Sequence, residues 1–411
     1  MDKLKTALYN LSMFSRSILP VLERCLTEFP VVVLTGPRQS GKTTLMKRVA
    51  GFRPYVSLED PDQRAYAIED PRGFLAQFPD GAALDEVQRC PALFSYLQGI
   101  VDADGRAGLF LLTGSQQFGM MESIIQSLAG RIALLRLWPF SLAELQAVDA
   151  APADVDSLLF KGLFPRLYGR KIDPAAWFSN YVATYLERDV RQLLKVQNLA
   201  LFQRFVVLCA GRAGQLLNID ALASDAGISR PTANGWLSVL EASHVIVIVR
   251  PWFANIGKRF VKTPKLYFCD TGLVAWLLGA KTRDYAAGLP QRGALFENWV
   301  MMELLKAHAN AGIPPRLFFL RDKSGHEIDA LVPTAPDTFA AIEVKAGETV
   351  AADFFKGLDY WRKNLPGQTL HPWLVYGGDT PQSRERGRVV PWNGLSPLLE
   401  TLFSEPERKS S

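Results

Sequence analysis

Eight consecutive residues, Gly36-Pro37-Arg38-Gln39-Ser40-Gly41-Lys42-Thr43, stand between an apolar run at 31–34 and a helix-forming stretch at 42–49. A G-x-x-x-x-G-K-T spacing between strand and helix is the form of a loop that cradles nucleotide phosphates. Its two glycines let the backbone curl so that successive N–H groups face the β- and γ-phosphates. The helix behind adds the positive end of its dipole. Lys42 is expected to reach the phosphates and the Thr43 hydroxyl to ligate Mg²⁺, with Thr44 completing the nucleotide-contacting set.

Hydrolysis asks for more than a cradle. A modest strand at 80–84 ends in Asp85-Glu86. A carboxylate at the tip of a strand beside the loop can hold a water of the Mg²⁺ shell, and Glu86 is placed to orient and deprotonate the attacking water. A third strand at 109–113 runs into Gly114-Ser115. Thr113 and Ser115 would sit near the γ-phosphate, although Thr-Gly-Ser is also common turn punctuation. Arg131 follows Leu128-Ala-Gly130. It is read either as a cation for the γ-phosphate, in its own subunit or a neighbour's, or as a structural arginine.

A second constellation lies near the C-terminus. His326-Glu-Ile-Asp329-Ala-Leu-Val332 and Ala340-Ala-Ile-Glu343-Val-Lys345 both alternate with the period of strands. If the two strands pair, Asp329 and Glu343, with the Val344 carbonyl, can hold Mg²⁺, while Lys345 orients a water or steadies phosphorane-like charge. Glu297, on a helix at 294–306, offers a further carboxylate. E-x-K alone is weak, because any exposed strand face can carry it; the ordered set suits a metal-dependent phosphodiesterase site.

These groups need elements to position them. Residues 1–150 alternate short apolar strands with amphipathic helices, as a doubly wound parallel α/β sheet does, one helix being interrupted at Pro71. A helical stretch covers 151–200. Residues 201–285 read as a winged helix-turn-helix, with Asn218 and Ser229 as N-caps and Gly227 as the turn glycine. Its third helix would present Arg230, Thr232, Asn234 and Trp236, and its wing Lys258, Arg259 and Lys262. These could enter a major groove. Winged helices also serve as packing modules, and Trp236 then belongs to a core. Residues 286–402 form a C-terminal α/β unit, and 403–411 a frayed tail.

The bulk numbers bound this reading. The 411 residues allow two to four domains, and 48% hydrophobic with 21% charged residues is ordinary globular composition. No apolar run approaches the roughly 18 residues of a membrane helix, and the N-terminus has no apolar signal core, which points to the cytoplasm. Cys25, Cys90, Cys209 and Cys269 are far apart, and His244, His308, His326 and His371 show no ligand spacing. The net charge of +5 decides little, but residues 161–212 carry nine Lys/Arg against three Asp/Glu. Residues 250–265 carry five basic residues and no acid. Such local excess suits a polyanionic partner, and solvated helix faces explain part of it.

Taken together the chain resembles the prokaryotic AAA-type ATPases of the AAA_14/DUF4143 family. The resemblance rests on Leu34-Thr-Gly-Pro-Arg-Gln-Ser-Gly-Lys-Thr-Thr-Leu45, Leu84-Asp-Glu-Val-Gln-Arg89, Leu112-Thr-Gly-Ser115, Leu128-Ala-Gly-Arg131 and Leu137-Trp-Pro-Phe-Ser-Leu142. It continues in Gly162-Leu-Phe-Pro165, Tyr185-Leu-Glu-Arg-Asp189, Asp270-Thr-Gly272, Phe296-Glu297, Glu327-Ile-Asp329 and Glu343-Val-Lys345. It implies an AAA-type core, a winged helix and a restriction-endonuclease-like PD-(D/E)xK domain, with ATP as the nucleotide; Ile328 stands where the motif has proline. The expected function is ATP hydrolysis coupled to DNA binding or remodelling. A regulatory ATPase whose C-terminal half makes protein contacts, and a defence-type nuclease effector, are the alternatives. Use of Arg131 across subunits would imply a homo-oligomer, in one form a ring.

Overall fold

Four consecutive branched residues, Val31 to Leu34, can all be buried only in a strand covered on both faces. In the computed structural model, which describes residues 14–114, 128–186, 198–252 and 260–403, this is what they form. Strand β1 (Val31–Thr35) lies between β4 (Phe110–Thr113) and β5 (Ile132–Arg136). With β2 (Tyr55–Ser57) and β3 (Ala82–Asp85) they make a parallel sheet ordered β2-β3-β4-β1-β5. The register sets Leu34 beside Thr113, Thr35 beside Arg136 and Ser57 beside Asp85, so the polar strand tips share one edge.

Helices α1 (Leu19–Glu28) and α2 (Lys42–Val49) cover one face with Leu22, Leu45 and Met46. Two helices split at proline, α3 (Pro61–Glu69) and α4 (Pro71–Ala76), cover the other together with α5 (Leu93–Asp104). Asp70 ends α3 and caps α4 by accepting the Gly73 N–H at 2.8 Å, which is why the break falls at Pro71.

Past α6 (Leu142–Gln146) the chain is helical, and two of its motifs meet in one joint. Asp270 caps α10 (Thr271–Leu277) and accepts the Leu163 N–H at 2.6 Å. A Cβ on Gly162 would strike Asp270, and one on Gly272 would strike Phe178. Gly162-Leu-Phe-Pro165 and Asp270-Thr-Gly272 are therefore two halves of a close packing contact.

Helices α7 (Leu199–Ala210), α8 (Ile219–Ala226) and α9 (Arg230–Ala242), followed by the antiparallel pair β6 (Ile246–Val249) and β7 (Lys265–Phe268), give the winged arrangement. Asn218 and Ser229 cap α8 and α9. Trp236 is not presented to solvent: its ring packs edge-on at 5.3 and 5.2 Å from Phe202 and Phe205. The base of the wing is stitched to the C-terminal sheet, the Trp252 N–H donating to Phe319 O (2.8 Å) and the Val261 N–H to Arg321 O (3.0 Å).

That sheet is built from β8 (Phe318–Arg321), the antiparallel hairpin β9 (Glu327–Ala335) and β10 (Thr338–Lys345), β11 (Thr369–Tyr376), β12 (Gln382–Arg384) and β13 (Gly387–Pro391), in the order β12-β13-β11-β10-β9-β8. Helices α11 (Arg292–Asn310) and α13 (Ser396–Phe403) pack on one face and α12 (Lys356–Asn364) on the other. One apolar core runs from Trp138 through the winged helix to the inner face of this sheet, so the two C-terminal units are fused rather than strung on a linker. Among the described residues no helix is long and apolar enough to cross a membrane.

Candidate nucleotide site and C-terminal carboxylate cluster

Gly36 has φ 142°, and a Cβ there would fall 2.1 Å from the Leu137 carbonyl oxygen. Only glycine fits. Gly41, at φ 98°, caps α2 and aims its first N–H groups into the loop. The buried Lys42 ammonium donates to Gly36 O (3.0 Å) and Pro37 O (2.9 Å), across the mouth of the cradle. The fully buried Ser40 Oγ has no hydrogen-bond partner among the described residues, as suits a donor meant for a phosphate oxygen. Arg38, Gln39 and Thr44 line the loop and the first turn of α2, half-buried.

Asp85 is the centre of the site. Its Oδ2 accepts from the Thr43 hydroxyl (2.8 Å) and the Tyr55 hydroxyl (2.8 Å), and its Oδ1 from Thr113. A hydroxyl from the loop and a carboxylate from the tip of β3, one strand beyond β4, are the donor set that suits a hydrated Mg²⁺ ion. Tyr55 carries no motif and escaped the sequence reading; burial, followed by its bond to Asp85, pushes its phenol above the ordinary range. Glu86 stands at φ 57°, a left-handed conformation that costs a non-glycine residue about 1–3 kcal/mol, with its carboxylate bonded by the Gln88 amide. Ser115 lies outside the described residues.

The loop is held from outside by a residue no motif marks. Arg16, 8% exposed, donates from Nη1 to Ser40 O (2.8 Å), from Nη2 to Trp138 O (2.7 Å) and from Nε to Glu144 Oε1 (3.1 Å). Glu144 closes a capping box with Ser141 at the start of α6. The same corner receives α11, whose Glu303 accepts the Leu142 N–H (3.0 Å) while Lys306 donates to Phe140 O (2.7 Å). The segment Leu137-Trp-Pro-Phe-Ser-Leu142 thus touches the phosphate loop on one side and the C-terminal unit on the other.

Arg131 does not complete its own subunit's site. It immediately precedes Ile132, which pairs with Val31 at the start of β1, whereas the phosphate loop follows the end of that strand. Five residues of strand, about 16 Å, separate the two ends. The Arg131 guanidinium pairs with Asp102 of α5, Nη2 to Oδ2 at 3.0 Å.

The C-terminal hairpin brings Asp329 to Glu343 and Lys345, as the strand pairing predicts. The Val344 N–H, rather than its carbonyl, makes the contact, donating to Asp329 Oδ2 at 2.8 Å. Lys345 pairs with Glu343 and stands 4.0 Å from Asp329. Glu297 is engaged by Lys265 Nζ (2.8 Å) and the Tyr267 hydroxyl (2.6 Å), both from β7, and lies close enough for its charge to act on Asp329 and Lys345. Among the described residues no three His, Cys, Asp or Glu side chains form a ready metal shell.

Lys265 also pairs with Glu327; only 3% exposed, it belongs to this cluster and not to a cationic wing surface. Burial alone would lower its ammonium, but the surrounding Tyr267, Glu297, Asp329 and Glu327 outweigh that and hold it well above the ordinary range. Arg230 and Asn234 are exposed, Thr232 is half-buried beside the Ser229 cap, and Arg230 pairs with Asp220 at 3.1 Å. Lys262 is exposed; Lys258 and Arg259 lie outside the described residues.

Burial first, and the Asp329 charge second, push Glu343 up to about 8. Burial, opposed by Lys265 and assisted by Asp329, pushes Glu297 up to about 7. Both groups sit above the ordinary glutamate value of 4.5, so they favour the folded chain most below that pH, and the benefit is lost as pH rises through about 7 and 8. In metal-free buffer the melting temperature is therefore expected to fall between pH 6 and pH 9, and Glu343→Gln to flatten that fall. A glutamine variant whose melting temperature drops as steeply as the wild type would remove Glu343 from this account.

A parallel sheet in this strand order, a glycine-lysine loop after β1 and an aspartate-glutamate pair at the tip of β3, with β4 between the two strands, define an AAA-type P-loop ATPase domain. Residues 28–146 match the family described as an AAA domain, residues 292–395 the domain of unknown function DUF4143, and residues 152–284 the domain of unknown function DUF8612. Uncharacterized protein Rv2008c of Mycobacterium tuberculosis and uncharacterized protein Mb2031c of Mycobacterium bovis are each 35% identical over 315 residues, covering 76% of this chain and 69% of theirs. The chain belongs to their family, the AAA-domain ATPases with a DUF4143 C-terminal region. A Walker-type ATPase of Pyrococcus abyssi is similar over 64% of this chain and 95% of its own, at 16% identity and a TM-score of 0.44.

Proposed function

We propose that the chain hydrolyses ATP at the phosphate loop and uses turnover to move its winged helix and C-terminal sheet on DNA. The observation that carries the hydrolytic part is the bond from Thr43 to Asp85, with Glu86 on the adjoining position. Lys42 and Ser40 would hold the phosphates, Thr43 and Asp85 the hydrated Mg²⁺, and Glu86 would take a proton from the attacking water. Bound there, the ion would neutralise charge developing on the β- and γ-oxygens. Coupling would pass through the 137–142 corner, since Arg16 ties it to Ser40 and Glu303 and Lys306 tie it to α11. At the sheet end where it lies, Arg131 would serve only a neighbouring copy's site, in a homo-oligomer.

The DNA part is supported by the basic excess of residues 161–212 and by the exposed Arg230, Asn234 and Lys262. The cluster of Asp329, Glu343 and Lys345 supports a divalent-cation role, because a carboxyl held protonated by burial beside a second carboxylate gains a partner when a cation enters. The regulatory reading, with protein contacts in place of DNA, is favoured by two other facts: Trp236 is core, and the wing is bonded to β8 (Phe318–Arg321).

One experiment separates them. DNA of linear, flapped and branched form is titrated into the full chain at several salt concentrations while ATP turnover is followed. The DNA reading expects stimulated turnover and an affinity that falls steeply with salt, the slope of log K against log[salt] flattening by about 0.9 for each phosphate contact removed by neutralising Arg230 or Lys262. Turnover indifferent to every DNA form, with no salt-dependent binding, leaves the regulatory reading.

A further inference from the structure

Two left-handed non-glycine residues, Gln39 and Glu86, belong to the nucleotide site; a third, His244 at φ 56°, belongs to the winged helix. It occupies the turn between α9 and β6. The His244 N–H donates to Glu241 O (2.9 Å) and the Val245 N–H to Leu240 O (2.9 Å). That bond pair closes a helix end at which the His244 position ordinarily takes glycine. A side chain is kept here against the backbone preference. His244 is 4% exposed, and its Nε2 is buried without a hydrogen-bond partner among the described residues.

The ring lies 5.4 Å from that of Trp138, on the corner whose Leu137 carbonyl closes over Gly36. Arg136, level with Thr35 at the strand tips, lies 5.6 Å over the same indole. Burial, and then the positive charges of Arg136 and Lys42, hold the imidazole well below its ordinary pKa, so Lys42 is near enough to repel a protonated ring. An unpaired nitrogen in such a place is a costly group unless a ligand meets it.

We propose that His244 is a nucleotide-contacting residue, its Nε2 meeting the phosphate edge of a bound nucleoside di- or triphosphate, so that the winged helix itself closes the site. The inference rests on the reading of the loop as a nucleotide site. It gives the winged helix a direct means of registering whether nucleotide is present, beside the bonds that Arg16 makes to the 137–142 corner.

The test uses the full chain, with calorimetric titration of MgADP and MgATP into the wild type, Lys42→Ala, His244→Gly and His244→Gln, and a melting temperature for each. His244→Gly relieves the left-handed backbone, so the fold should persist. Its nucleotide affinity should fall about tenfold or more, and His244→Gln, with an amide in reach of the same point, should recover part of the loss. Side-chain ¹⁵N spectra of the four histidines add a readout that packing would not move. The signal absent from His244→Gln should shift when MgADP is added to the wild type and stay put in Lys42→Ala.

Wild-type affinity in both His244 variants, with Lys42→Ala defective, would overturn the proposal and leave the nucleotide site standing. A loss of affinity with an unmoved imidazole signal would overturn it too, as the mark of a packing role. Failure of the wild type to bind either nucleotide would bring down both readings.

Discussion

Glutamine in place of Glu86 is expected to slow ATP turnover by about a hundredfold or more while nucleotide affinity stays near that of the wild type. Glu86 follows the buried Asp85 at the tip of β3, and its backbone is turned into the left-handed region. Beyond the strand the Gln88 amide donates to the carboxylate and holds it. Glutamine keeps the length and the amide contact but cannot accept a proton at neutral pH. The phosphate cradle, built from Gly36, Ser40, Lys42 and Thr43, is untouched by the change. Phosphate release under excess ATP, measured beside binding, checks both halves. Turnover at the wild-type rate would leave Glu86 without a catalytic role, and a matching collapse of affinity would make it a structural residue.

The largest effect on stability is expected at Arg16. Its guanidinium satisfies the Ser40 and Trp138 carbonyls and pairs with the buried Glu144. Removing one partner of such a pair leaves the other charge buried and uncompensated, a loss of about 3–5 kcal/mol. Arg16→Ala should therefore lower the melting temperature sharply and also weaken nucleotide binding, because Ser40 loses the anchor that sets the loop. Arg16→Lys is expected to be little better, since an ammonium cannot reproduce three bonds fixed by a planar fork. The double change Arg16→Met with Glu144→Met removes both charges together and should recover stability relative to Arg16→Ala. An alanine variant with wild-type melting and binding would show that the Arg16 bonds are incidental.

The phosphate loop was legible because its chemistry demands contiguous residues: backbone amides, a lysine and a hydroxyl must all come from one turn. The doubly wound sheet was legible for a related reason, since strands buried on both faces read as plain apolar runs such as 31–34. The hairpin joining Asp329 to Glu343 followed from the period of two and a short turn. What stayed hidden depends on contacts between distant segments. Arg16, Tyr55, Lys265 and His244 act across gaps that no spacing rule covers, and each is a common residue in an unremarkable local sequence. Lys265 is the clearest instance. As one of five cations between 250 and 265 it reads as part of a basic wing. Only the packing of β7 against α11 turns it inward to Glu297 and Glu327. Arg131 shows the converse, for its order in sequence suggested the γ-phosphate while the parallel register sets it at the other end of the strand.

Nucleotide binding at this loop is checked by titrating MgADP into the full chain, wild type beside Lys42→Ala. The wild type should take up one nucleotide per chain, and the affinity should be at least about tenfold lower once the ammonium that spans Gly36 and Pro37 is gone, since a charged hydrogen bond of this kind is worth about 1.5–3 kcal/mol. Equal affinity in the two proteins, at unchanged melting temperature, would mean that the nucleotide binds elsewhere and that this loop is not its site.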